Sequence, residues 1–139
     1  KEDASITKKT IFVIEASSYQ LDYSKIFTSK YALILNITPD HLERHKNLKN
    51  YVNAKFKLLD SQTNKSIALV KENDPLISKA LNKGKFKQKI IKVDTLKNDK
   101  IYDQLKNQYF LSFGNRENLS FILQISRILK LDNKKLFKT

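Results

Sequence analysis

Along the 139 residues, short unbroken apolar runs alternate with longer stretches in which apolar residues return every third or fourth position. "TIFVIEA" (10–16), "YALILNI" (31–37), "SIALV" (66–70), "QKIIKV" (88–93) and "NQYFLSF" (107–113) belong to the first kind and have the length and β-branched or aromatic content of strands. Strands without polar alternation belong to sheets covered on both faces. In "NLKNYVNAKFKLLDSQ" (47–62), Leu48, Tyr51, Val52, Lys55, Leu58 and Leu59 fall on one helical stripe, so a lysine shares the inward face with apolar neighbours. "DPLISKALNK" (74–83) predicts a helix capped by Asp74 with Pro75 in its first turn. "NRENLSFILQISRILKL" (115–131) predicts the longest helix, and a further short one is expected from Asp132. This alternation predicts an α/β fold with a mostly parallel sheet flanked by helices. No repeat and no Pro/Gly-rich linker divides residues 1–139, which read as one unit.

Composition fits that reading. An apolar fraction of 40% over this length suits one packed domain. No apolar run approaches the roughly 18 residues that a membrane-spanning helix needs, and no leader pattern opens the chain, so a cytoplasmic protein is expected. The absence of cysteine excludes disulfides and thiolate metal sites. Because the chain opens on Lys1 and holds no methionine, a piece of a longer protein is expected. The net charge of +13 is mostly lysine; the arginines are Arg44, Arg116 and Arg127. These lysines are scattered, not gathered on one helix face or interleaved with exposed aromatics, which points to a solvated surface and to no specific nucleic acid. A lysine-rich nucleic-acid-binding module remains a rival reading, one that requires affinity falling steeply with salt.

In a parallel α/β sheet, ligands collect beyond the carboxyl ends of the strands. Two such ends carry chemistry here: Glu15, followed by Ser17 and Ser18, and "NITPDHLER" (36–44) with Asp40, His41, Glu43 and Arg44. A carboxylate and an imidazole on one rim suit Mg²⁺ or Mn²⁺ better than zinc, given no cysteine and a single further histidine. Helix capping and ion pairing are the alternatives for the same residues.

"VIEASSYQL", "ILNITPDHLERH" and "YVNAKFKL", in this order and at these separations, resemble the central ATP-binding domain of the Mur ligases, amide-forming enzymes of peptidoglycan precursor synthesis. "EASSYQL" resembles the branch that adds D-glutamate. The resemblance runs from Thr10 to Leu59, thins over 60–110 and returns in the last helix. It implies a P-loop NTPase-like fold and an ATP-dependent ligase acting on UDP-N-acetylmuramoyl-L-alanine and D-glutamate through an acyl phosphate. It further implies that Glu15 and His41 hold Mg²⁺, and that Lys55 is a carbamylated lysine completing the metal and catalytic group. Charge removal by CO₂ would also relieve the cost of burying a lysine among apolar neighbours; the alternative is a snorkelling lysine with its head in water. Ser17, Ser18, Arg44 and Tyr51 are implied in substrate binding. "GNRENLSF" resembles the family's His-Asn-x-x-Asn stretch, implying that Asn115 and Asn118 meet ATP, with Gly114 standing where the family has histidine.

The family's Gly-rich phosphate loop precedes the Glu15 strand. Gly84 and Gly114, the two glycines present, do not open such a loop. Residues 1–139 therefore resemble a partial central domain without its phosphate loop, with the amino-terminal UDP-binding and carboxyl-terminal domains absent and no activity expected of the piece alone. A sister Mur ligase, a folylpolyglutamate synthetase-like ligase and a scaffold that no longer binds ATP are the other readings.

Overall fold

A computed structural model describes residues 6–7, 10–40, 42–96 and 112–132. Its elements run α1 (Ser18–Tyr23), β1 (Tyr31–Ile34), α2 (Leu42–His45), α3 (Leu48–Asp60), β2 (Ile67–Lys71), α4 (Pro75–Lys83), β3 (Lys89–Val93) and α5 (Phe113–Leu129). The three strands form one parallel sheet in the order β1-β2-β3, with Tyr31 opposite Ile67 and Ile67 opposite Lys89.

The unbroken apolar runs are explained by helices on both faces. Ala32, Ile34, Ala68 and Val70 pack with Tyr51, Val52, Phe56 and Leu59 of α3 and Ile77 of α4. Leu33, Ile67, Leu69, Ile91 and Val93 point the other way, onto Phe121, Ile125 and Ile128 of α5. Successive strand residues thus serve opposite layers, as the pleat demands.

The carboxyl ends of the strands are tied to the helices that follow. Asp74 caps α4 by accepting from the amides of Leu76 at 2.9 Å and Ile77 at 3.0 Å, and its other oxygen accepts from the Ile37 amide beyond β1 at 3.1 Å. Lys71, which ends β2, pairs with buried Glu117 of α5, and Glu117 also accepts from the Thr95 hydroxyl beyond β3 at 3.2 Å. The first turn of α5 is thereby held at the same rim.

Three sequence expectations are corrected. Residues 10–16 form no strand: Ile11, Phe12, Val13 and Ile14 are exposed, Val13 at 94%. A strand exists only where a neighbour takes its backbone hydrogen bonds, and among the described residues nothing lies beyond β1 to do so. The strand expected at 107–113 falls mainly outside the described residues, and its last two members belong instead to α5, Ser112 as N-cap and Phe113 as first helical residue. Lys55 is half-buried, not enclosed. The helix expected from Asp132 lies almost wholly outside the described residues.

Candidate functional site

Two of the residues singled out from the sequence, Ser18 and Tyr51, meet at a residue that was not, His45, and two more, Lys55 and Arg44, join them through the Tyr51 and Tyr19 rings. Ser17 starts α1 through a capping box: its hydroxyl accepts from the Gln20 amide at 3.3 Å while the Gln20 side chain accepts from the Ser17 amide at 2.8 Å. The capping alternative for Ser17 is therefore realised, and the next residue is turned inward. Ser18 is buried, and its hydroxyl shares a hydrogen bond of 3.0 Å with His45 Nε2.

His45 closes the single turn of α2. Lys46, with a φ of 67°, then reverses the chain, and Asn47 caps α3 by accepting from the Asn50 amide at 2.9 Å. Asn50 Nδ2 donates back to the His45 carbonyl at 3.0 Å. The imidazole stacks on Tyr19 of α1, centroids 5.3 Å apart and planes at 10°, and leans on Tyr51 of α3 at 5.5 Å and 58°.

Tyr51 is buried, and one turn later Lys55 lays its Nζ over the Tyr51 ring, 5.2 Å from the centroid. The ammonium faces an aromatic quadrupole and the residue stays partly exposed to water. Arg44 lies over Tyr19 at 4.4 Å and over Tyr23 at 5.7 Å. The Tyr19 hydroxyl is pushed up from its ordinary pKa by desolvation and then by the Glu43 carboxylate, with Arg44 opposing.

A cavity of about 340 Å³ opens beside this cluster, lined by Asp22, Arg44, His45, Lys46, Asn50 and Lys57 among others. Lys57 donates to the Asp22 carboxylate at 2.7 Å and holds its pKa below the usual carboxylate value. A larger cavity of about 520 Å³, with an apolar floor of Val52, Phe56 and Leu76, lies between α3 and α4 and contains none of the residues singled out from the sequence.

The other candidates sit apart. Glu15 is exposed, two residues before the Ser17 cap, and His41 lies outside the described residues. Asn115 and Asn118 are in the first two turns of α5, half-buried and exposed respectively, on the sheet face opposite α3. The cap of α5 is Ser112, whose hydroxyl accepts from the Asn115 amide at 3.4 Å, so Asn115 is not the cap. Around Gly114 no described residue lies within 4 Å of where a Cβ would stand.

Among the described residues no three His, Asp or Glu side chains converge on a metal position. Mg²⁺ in phosphoryl-transfer sites takes one or two protein carboxylates and fills its shell with water and phosphate oxygens. Glu15 fits that donor chemistry; His41, outside the described residues, and Lys55, if converted to a carbamate, are the other groups the sequence offers.

The Mur ligase middle domain family matches residues 2–128. The chain belongs to the Mur ligase family. Among its relatives, the UDP-N-acetylmuramoylalanine–D-glutamate ligase of Rickettsia bellii is 30% identical over 148 residues, covering 92% of this chain and 33% of the relative. The enzyme of the same name from Rickettsia prowazekii is 33% identical over 147 residues, with the same coverage. That of Caldicellulosiruptor saccharolyticus is 53% identical over 57 residues, 41% of this chain. This Mur ligase chain spans about a third of the length of the two Rickettsia relatives.

Sequence reasoning had the start of α1 only as the capping alternative at Ser17, and missed α2 and the role of His45. The capping-box spacing Ser17 to Gln20 was a usable signal for α1. His45 carried none, because its partners Ser18 and Tyr51 come together only in the fold.

Proposed function

We propose that this chain is part of the central domain of an ATP-dependent ligase that joins D-glutamate to UDP-N-acetylmuramoyl-L-alanine in the cytoplasm. The observation that carries the reading is the meeting of the serine stretch, the "LERH" turn of α2 and the lysine helix at one point on the carboxyl rim. The names of the relatives support D-glutamate as the acceptor over the acceptors of sister ligases.

In this reading, the substrate carboxylate attacks the γ-phosphorus of ATP, ADP leaves, and the amine of D-glutamate attacks the acyl phosphate carbon and expels phosphate. No side chain serves as nucleophile, since the substrate carboxylate is one. The chain's own residues position and screen. Ser18 and Arg44 orient the nucleotide-sugar substrate, Tyr51 seats Lys55 in its free ammonium form, before the carbamate forms, and Asn115 and Asn118 meet ATP from α5. Glu15, His41 and carbamylated Lys55 would hold Mg²⁺, which supplies screening between two anions that must meet in line.

The test uses the full-length protein and follows phosphate release that requires both UDP-N-acetylmuramoyl-L-alanine and D-glutamate. Lys55→Ala is expected to abolish ligation, with partial rescue by short-chain carboxylates that replace the carbamate. Full activity in the unrescued variant removes the role of Lys55, and no release by the unmodified protein removes the ligase reading.

A further inference from the structure

His45 is 6% exposed, and each side of its ring has a separate partner. One edge binds Ser18 of α1, one face stacks on Tyr19, the Tyr51 ring of α3 tilts against it, and the main-chain carbonyl is held by Asn50. Tyr51 in turn carries the Lys55 ammonium. A single imidazole therefore stands in contact with two residues read as part of the site, and reaches the third through Tyr51.

Two properties are used together. A phenyl ring could stack between the tyrosines and leave the Ser18 hydroxyl without a buried partner. A carboxamide could hold that hydroxyl and leave the Tyr51 ring loosely supported. Imidazole does both at one place.

We propose that His45 is a positioning residue for the lysine site, fixing the Tyr51 ring that seats Lys55 while pinning Ser18, and hence the start of α1, to the same point. It reaches the reacting groups only through these neighbours. The inference rests on the ligase reading for its kinetic consequences, but its geometric content concerns Ser18, Tyr51 and Lys55 alone.

The test prepares the full-length protein with His45→Phe and His45→Gln, plus His45→Ala, and measures three quantities. These are the thermal midpoint, kcat and KM for UDP-N-acetylmuramoyl-L-alanine, and the rate at which Lys55 is reductively methylated by formaldehyde and borohydride, read by peptide mass spectrometry. His45→Phe is expected to keep kcat and the Lys55 labelling rate and to raise KM about tenfold, the scale of one lost hydrogen bond. His45→Gln is expected to keep KM, lower kcat about tenfold and raise Lys55 labelling. If His45→Ala does not fold, the other two variants carry the result. Variants that change only the thermal midpoint, or that lower kcat alike with Lys55 labelling unchanged, overturn the proposal. If the unmodified protein does not ligate, the ligase reading fails, and unchanged Lys55 labelling in His45→Gln overturns the positioning role by itself.

Discussion

Asp74 is a single carboxylate with three obligations: it caps α4 through two amides and holds the Ile37 amide beyond β1. Asp74→Ala loses the cap and leaves a buried donor unpaired, and is expected to lower stability by about 2 kcal/mol in urea titrations, with Asp74→Asn costing less. The cap was legible from Asp74-Pro75; the bond to Ile37 was not, because that partner lies 37 residues away and local pattern carries no information on it. The same applies to His45, 27 residues from Ser18. Lys55 was legible in place and not in depth, since a stripe position tells which way a side chain leaves the helix, not whether its end regains water. Asp22 adds a pH dependence. Hydrogen bonding to Lys57 depresses its folded-state pKa, so its contribution is present above the unfolded carboxylate pKa and is lost as pH falls through the depressed value. Urea midpoints measured through the acid range are expected to fall less steeply in Asp22→Asn, by a small amount because the pair is about half exposed.

At the scale of elements, two lysines sit where the backbone turns left-handed: Lys46 between α2 and α3, with φ 67°, and Lys130 at the end of α5, with φ 54°. A side chain in that region costs about 1 kcal/mol that glycine does not incur. Lys46→Gly and Lys130→Gly are each expected to raise the thermal midpoint, and a fall in either removes the strain argument for that turn. Helices α3, α4 and α5 and strands β2 and β3 were legible to within a residue or two, because apolar period and caps are local properties. Residues 10–16 have the composition of a strand and lack its partner. Composition reports what a segment tolerates, whereas a strand also requires a neighbouring backbone. The four-residue α2 was illegible for the opposite reason: it is too short to show a period, and it is set by Lys46, Asn47 and Asn50 around it.

At the scale of the molecule, the sheet separates the α1–α2–α3 cluster with Lys55 on one side from the first turns of α5 with Asn115 on the other. Of the residues singled out from the sequence, those on α1, α2 and α3 come together although up to 37 positions separate Ser18 from Lys55, whereas Glu15, Asn115 and Asn118 stay apart from them. The strand order β1-β2-β3 has a further consequence, which lies in time. The connection from β2 to β3 runs through α4 alone, whereas β1 reaches β2 only by way of α2 and α3. Shorter loops close at lower entropic cost, so β2, α4 and β3 should become protected first during refolding, with β1 joining later. Pulsed hydrogen exchange that found the β1 amides protected before those of β3 would reverse that order. With β1 joining last, the rim that carries Lys55 is among the last parts of the chain to take shape, completed only when the slow strand docks.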